Sequence, residues 1–527
     1  MKITIPLHLS LFLFLFNAVV IQAQTVLDPS FGFQGVTKID FDESTDRGYS
    51  ILPLPDGKAV LAGWTRKNNQ TDFALVRLLN NGNFDDSFGD DGKLALDLGF
   101  SNDSCLAAAL QPDGKILMAG SATLPGHSYR SFLLVRVEQD GSRDTSFGIN
   151  GVATVDVNGA DGIANNVIIS PDGNILLAGN AIEHAGDGWP TSVRVAMAQF
   201  LPNGMPDSTF GNNGLVFAAF GNGEYSFNHD IALQQDGKIV MTGGKRQQPF
   251  DKDEFVVARY KPDGMPDSTF DNDGISIPFG TYAEGSDLAI DANGRIIAAG
   301  KEFEFSFAIT RLLPDGSLDE TFGNNGKKVL SFSPVGFSAA DIRVLQNNDI
   351  LVGGPTGALT IEEMALVRFL ANGSIDTTFA PNGMWTASIT STNVLRAFSL
   401  LPDGKILAGG DFQFGGSSVN MFVARILPEG TVHLNEAESP VRFMSVYPNP
   451  CVNKRLDLTY ELSQAGTVTV ALSNASGETV ASLLFSVQRS AGSHHEQLLL
   501  PSVPAGYYVL SVTTSSGTCS TAIFVKN

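Results

Sequence analysis

The chain of 527 residues carries 34 lysines and arginines against 55 aspartates and glutamates, a net charge of −21. That balance excludes a nucleic-acid or anionic-membrane binder, because neutralising phosphates takes a basic surface. With 43% hydrophobic and 17% charged residues the chain is globular. Its 55 glycines and 25 prolines favour many short strands and tight turns, and three cysteines are too few for a disulfide scaffold.

At the N-terminus, Lys2 precedes apolar residues 11–16 and 18–21, and Ala23 supplies a small residue for cleavage. The pattern predicts a secretory signal peptide over residues 1–23. A transmembrane anchor is the competing possibility, but Pro6, His8 and Asn17 interrupt the run, and ~20 apolar residues are wanted. No cysteine follows for lipid attachment, and no later stretch approaches ~18 continuous apolar residues. The mature chain is therefore expected to be exported without a transmembrane segment.

Residues 24–430 are repetitive. Asp-x-Ser/Thr-Phe, with Gly four residues beyond the Phe, recurs at Phe31, Phe88, Phe147, Phe210, Phe270, Phe322 and Phe379, a mean period of 58. Between copies stands Pro-Asp-Gly-Lys in its fullest form, with Gly57, Gly114, Gly173, Gly237, Gly294 and Gly404, and Asn348 in the sixth repeat. Asn also tolerates left-handed backbone, so this position predicts a hairpin turn with φ above zero. Six residues further on, Gly63, Gly120, Gly179, Gly243, Gly300, Gly354 and Gly410 are expected to close the following strand.

Each period reads as four strands, A to D, which in the first repeat are residues 49–53, 58–62, 73–79 and 93–98. Strand C is apolar on both faces, as in Phe73-Ala74-Leu75-Val76, which suits a sheet sandwiched between neighbours. Seven such units predict an all-β fold, a seven-bladed β-propeller, with a linear solenoid as the competitor. Residues 36–41 form a D-type strand with no A strand before it, and the seventh unit stops after its strand C. A ring uses both, whereas a solenoid leaves two open edges.

Taken together, the Asp-x-Ser/Thr-Phe-Gly, Asp-Gly-Lys and Leu-x-Arg-Leu signatures resemble the delta-60 repeat of secreted bacterial proteins, from about Leu27 to Gly430. Asp271 and Ala380 depart from Gly after the Phe, and Gln199 departs from Arg. The resemblance implies a repeat architecture and no activity. Polar residues that recur in every unit suit structure better than one reaction centre. The motif Asp should accept backbone N–H groups in an Asx-turn. Arg77, Arg136, Arg259, Arg311, Arg368 and Arg425 on strand C should pair with a carboxylate near the next turn.

Other signals are weak. Asp40, Asp42, Ser44 and Asp46 make half of a calcium loop without its glycine and glutamate, and Asp271-Asn272-Asp273-Gly274 is equally incomplete. His127, His184, His229, His433, His494 and His495 lack metal-ligand spacing. No nucleophile elbow or phosphate loop is present. No catalytic residue, metal or cofactor is therefore expected. Cys105 is isolated, and a disulfide between Cys451 and Cys519 is left open.

The period stops at Gly430. Residues 431–442 read as a polar, acidic linker, and residues 443–527 as a small antiparallel β-sandwich with alternating strands at 467–472 and 507–512. Tyr447-Pro448-Asn449-Pro450, Gly477, Pro504-Ala505-Gly506-Tyr507-Tyr508 and Phe524-Val525-Lys526 resemble the C-terminal sorting domain of type IX secretion substrates. The resemblance implies Sec export in a Gram-negative bacterium, type IX machinery as a partner, and surface attachment or release.

Two functions compete. The leading one is a secreted or cell-surface binding or scaffold protein that presents a loop face to an extracellular protein or glycan. The other is an extracellular polysaccharide-acting enzyme, a lyase or hydrolase, with its site at the channel mouth; a structural surface component is a further possibility. In a meander the A–B and C–D turns share one rim, and the B–C and D–A connections share the other. The second rim carries Trp64, Tyr129, Trp189, Tyr225, His229, Phe250, Tyr282 and Phe412, which are the candidate ligand contacts. Capping of blade cores is their competing role.

Overall fold

In the computed structural model the six turn glycines take φ between 75° and 87°, and Asn348 takes 65°, so each A–B connection is a tight hairpin. The structure describes residues 26–525 apart from 42–44, 186–189, 221–224, 248–251, 303–305, 332–335, 359–360, 381–382, 391, 414–418, 428–440, 448–450, 452–453, 463, 475–478 and 515–516. The expected signal peptide and almost all of the linker lie outside these residues. The chain divides into two units, residues 1–430 and 431–527.

Blade 1 is an antiparallel meander of Thr45–Pro53, Ala59–Lys67, Gln70–Leu78 and Lys93–Leu96. Blades 2 to 6 repeat it, with strand A of the sixth split into Gly336–Phe337 and Asp341–Val344. The seventh blade, Thr392–Leu400, Ile406–Gln413 and Val419–Ile426, takes its fourth strand from the N-terminus. Val36–Ile39 runs antiparallel to Val419–Ile426, with Val36 opposite Ala424 and Ile39 opposite Met421. The orphan strand fills the vacancy, and the ring is shut.

The second set of glycines does not close strand B. Strand B continues past Gly63 to Lys67, and the glycine lies mid-strand, opposite a β-bulge at Gly48–Ser50 in strand A. A Cβ at Gly63 would stand 1.9 Å from the Arg47 carbonyl oxygen, and at all seven positions the corresponding distance is 1.8–2.0 Å. The bulge drives a strand-A carbonyl towards strand B, and only glycine leaves it room.

Strand C is buried on both faces, with Phe73, Ala74, Leu75 and Val76 at 0% exposure. The motif phenylalanines are buried at the seams. Phe88, for example, packs with Phe73 of blade 1 and Met118 and Val135 of blade 2.

Around each motif Phe the repeated polar residues form a clasp. In blade 1, Asp85 Oδ1 accepts the Ser87 N–H (3.2 Å) and hydroxyl (2.7 Å), the expected Asx-turn. Asp85 Oδ2 accepts from Arg77 Nε at 2.7 Å and pairs with Lys58 Nζ at 2.9 Å, which explains the lysine of Asp-Gly-Lys. The Arg77 guanidinium stacks 4.6 Å from the Phe88 ring centre and donates through Nη1 to the Gln139 carbonyl of blade 2. Arg136, Arg259, Arg311 and Arg425 reach the next blade in the same way, at Pro202, Pro314, Ala371 and Asn80. Asp271, where most copies have Gly, keeps the left-handed backbone at φ 45° and donates its N–H to Asp315.

In the second unit, Val441–Tyr447, Arg455–Leu462 and Gly492–Leu499 form one sheet. Gly466–Ser473, Thr479–Arg489, Gly506–Thr514 and Gly517–Val525 form the other. Leu458, Tyr460, Val470, Leu472 and Leu510 fill the space between them. Cys451 is a free thiol buried in this core, opposite Val525 rather than bonded to Cys519. Tyr447 ends the first strand; Pro448, Asn449, Pro450 and Gly477 lie outside the described residues. Gly506 and Tyr507 begin a strand at the exit of Pro504-Ala505, and the Tyr508 hydroxyl donates to the Pro504 carbonyl at 2.9 Å.

Candidate binding face

Strand A is the innermost strand of each blade, so its polar residues face the channel and the seams beside it. The residue just after the bulge varies: Ser50, Ala107, Asn166, Asp230, Asp287, and Ala397 in the seventh blade, with Asp341 in the corresponding place of the sixth. The carboxylates there hold the next blade. Asp230 accepts the Leu288 N–H at 3.1 Å, Asp287 that of Ile342, and Asp341 that of Phe398 at 2.7 Å. Asn166 donates to Asp230 at 2.8 Å. Burial raises the Asp230 carboxyl, and burial followed by the charges of Asp230 and Asp341 lifts that of Asp287 well above the usual range. Burial pushes Asp341 up to about 6 against the opposing charge of Arg343, its ion-pair partner.

Nearer the variable rim, the bulge residue His229 is exposed, and its Nε2 lies 2.7 Å from Glu284 Oε1 of blade 5. Lys301 Nζ stands 2.8 Å from the other oxygen. Burial opposes ionisation of Glu284, but the bond and charge of His229, then those of Lys301, hold its carboxyl down at about 2. Arg130 grips Asp161 through Nε (2.9 Å) and Nη2 (2.5 Å), with His184 3.8 Å away. Asp103 is fully buried with both oxygens unpartnered among the described residues, and burial, then Asp72 and Asp97, push it to about 7. Its counterpart in blade 1, Asp46, accepts from Thr65 Oγ1 (2.6 Å) and Phe41 N (2.9 Å); Asp42 and Ser44 lie outside the described residues. Among the described residues no three His, Cys, Asp or Glu groups converge as a metal site.

The candidate aromatic residues are not one constellation. Tyr225 stacks with Phe227 (6.4 Å between ring centres), and its hydroxyl donates to the Pro190 carbonyl at 2.9 Å. Tyr282 is 46% exposed at the D–A connection of blades 4 and 5 and has φ 71°, a left-handed backbone that is uncommon for so bulky a side chain. With His229 and Glu284 these residues share one sector. Tyr129 stands apart on blade 2, edge-on to His127 at 5.0 Å and bonded to Asp156 at 3.0 Å. Trp64 is not on a loop. The blade 1 B–C connection is only Asn68-Asn69, at φ 52° and 63°, and Trp64 lies within strand B opposite Phe73, with Arg47 5.9 Å over its ring. Phe412 is 4% exposed and packs in the blade 7 core, so it caps the blade and presents no free face. Trp189 and Phe250 lie outside the described residues.

Sequence reasoning missed Asp161, Glu284, Asp287 and Asp341, which lie in varied strand-A segments whose partners are a blade away. For Asp287 and Asp341 the usable signal was their departure from Ala107 and Ala397 at the equivalent repeat position.

Residues 54–88, 111–147, 170–210, 234–270, 292–322, 345–379 and 401–432 match the domain of unknown function (DUF5122) beta-propeller, and residues 445–526 match the secretion system C-terminal sorting domain. The chain carries DUF5122 β-propeller repeats and a secretion system C-terminal sorting domain. The sorting domain points to type IX export to the cell surface or the medium. No curated protein matches the chain. Among solved structures the chain is similar to PorZ, a surface component of the type IX secretion system of Porphyromonas gingivalis, at 12% identity and TM-score 0.39, covering 91% of this chain and 59% of that one. It thus spans about three fifths of the length of PorZ. It is also similar to the polysaccharide lyase Uly1 (12% identity, TM-score 0.43, 72% of this chain and 90% of that one) and to Sqt1 from Chaetomium thermophilum (12%, 0.39, 74% and 97%).

Proposed function

We propose that this is a secreted or cell-surface binding or scaffold protein whose variable rim engages an extracellular protein or glycan. The observation that carries the proposal is Tyr282, exposed and held in a left-handed backbone two residues before Glu284. An aromatic face beside the His229–Glu284–Lys301 charges suits stacking on a sugar or anchoring an interface. The opposite rim is consumed by the repeated clasp. Each channel carboxylate holds a backbone N–H of the next blade, a task that favours scaffolding over acid–base work.

The test is a glycan array and a cross-linking pull-down with the mature full chain. Tyr129→Ala, Tyr225→Ala and Tyr282→Ala are then measured against the partner found. At least one should weaken binding by ~10-fold, a loss of roughly 1.4 kcal/mol. Unchanged affinity in all three variants would remove this rim from consideration.

A further inference from the structure

Near the variable rim, one face of blade 1 collects two arginines around an indole. Strand register sets Arg47 opposite Trp64 and, one row nearer the rim, Thr45 opposite Arg66 and Arg66 opposite Thr71. Side chains alternate along a strand, so these five share a face, while Asp46, Thr65 and Asp72, in the row between, lie on the other. Arg47 and Arg66 are diagonal neighbours, ~7–8 Å apart across the strand pair. Arg66 is exposed and the other four are half-buried.

Sister blades neutralise the same places. Where blade 1 has Arg47 opposite Trp64, blade 5 has Glu284 opposite Lys301, an ion pair. Where blade 1 has Arg66 opposite Thr71, blade 4 has Arg246 opposite Asp253, bonded through both guanidinium arms at 2.7 and 2.9 Å. Blade 1 keeps the cations and lacks the acids. Among the described residues Arg47 contacts only the Trp64 ring, 5.9 Å from its centre, and Arg66 bonds only to Asn69 Oδ1 at 3.0 Å. The hydroxyls of Thr45 and Thr71 have no partner among the described residues either. Two like charges side by side without a counter-charge repel each other, and an anionic ligand group relieves that repulsion.

We propose that this face binds an acidic glycan, with a carboxylate or sulfate group bonded to Arg47 and Arg66, a sugar ring against the Trp64 indole, and sugar hydroxyls bonded to Thr45 and Thr71. The inference rests on the reading of the variable rim as a binding face and names a ligand class and a second sector for it. The chain's charge of −21 repels a densely charged polymer, so the glycan is one in which acidic sugars alternate with neutral ones.

The test titrates the mature full chain with fragments of hyaluronan and chondroitin sulfate, with carboxyl-reduced hyaluronan, dextran and poly-glutamate beside them. Arg47→Val and Arg66→Thr install the residues of blades 7 and 2, Val394 and Thr123, and Thr71→Asp installs the acid of blade 4. At least one acidic fragment should bind, and each variant should weaken it by ~10-fold. Thr71→Asp keeps both arginines and decides the matter if an arginine variant has a lower melting temperature. The proposal is overturned if no acidic fragment binds, if dextran or the carboxyl-reduced polymer binds as tightly, if poly-glutamate alone binds, or if the three substitutions are neutral. Acidic fragments that sense Tyr282→Ala but none of the three would overturn this site and leave the rim reading standing.

Discussion

Arg425 Nε donates to Asp28 Oδ2 at 2.8 Å across 397 residues of sequence, whereas Arg77 makes the equivalent bond to Asp85 across only eight. One clasp that is local elsewhere has become the lock of the ring. Asp28→Asn leaves a buried guanidinium without its counter-charge, a cost of about 3–5 kcal/mol. Asp85→Asn should cost as much but leave closure intact. Denaturant unfolding should therefore stay cooperative in the second variant and lose steepness in the first; equal slopes would show that strand pairing alone shuts the ring.

Blade 3 carries a natural deletion of the clasp. Gln199 replaces the arginine and Asn174 the lysine; Gln199 donates to Asp207 at 3.0 Å and, among the described residues, makes no side-chain bond to blade 4. Gln199→Arg should restore the pair with Asp207 and the stack on Phe210, raising stability by about 1 kcal/mol in thermal melts. A lower melting temperature would mean that the seam between blades 3 and 4 has repacked around the shorter side chain.

The two glycines of each hairpin should differ in cost. Gly57→Ala places a Cβ at φ 84°, worth about 1 kcal/mol. Gly63→Ala sets one 1.9 Å from the Arg47 carbonyl oxygen and should cost about 3 kcal/mol or more. Similar melting temperatures for the two variants would contradict the bulge argument.

Asp103 and the clasp aspartates respond oppositely to pH. The folded pKa of Asp103, about 7, lies above the unfolded ~3.9, so its proton stabilises the fold at low pH and that contribution fades as pH rises from about 4 to about 7. Asp103→Asn removes the titration and should gain on the parent by roughly 1–3 kcal/mol between pH 5 and pH 8. For Asp85, Asp144 and Asp267, burial opposes ionisation, but hydrogen bonds and the neighbouring cations hold the carboxyls below the usual range. Their contribution is present above pH ~4 and lost as pH falls further. Melting curves at pH 3, 5 and 8 separate the two effects, and a pH-independent difference for Asp103→Asn would refute the assignment.

The seventh blade is complete without residues beyond 434. A chain ending at Leu434 should melt as the full-length propeller does but stay in the periplasm of its native host, while residues 443–527 behind a signal peptide should carry an unrelated folded protein across the outer membrane. Normal surface delivery of the truncated chain would refute the delivery role; loss of protease resistance would instead refute independent folding.

The repeat count, the turn glycines, the closing strand at residues 36–41 and the sorting domain were all legible in the sequence. Each rests on a local rule: φ above zero needs Gly or Asn, and a buried sheet needs strands apolar on both faces. The clasp was half legible, since Arg77 and Asp85 stand eight residues apart, but the Gln139 carbonyl that completes it belongs to the next blade. Only the tertiary structure showed the strand-A bulge that gives Gly63 its purpose, the burial of Phe412, the place of Trp64 within a strand, and the chain of Asp230, Asp287 and Asp341 that joins neighbouring blades. It also placed Arg47 and Arg66 on one face with Trp64. These contacts join residues far apart in sequence, and they depend on strand register and blade stacking, which no local pattern encodes.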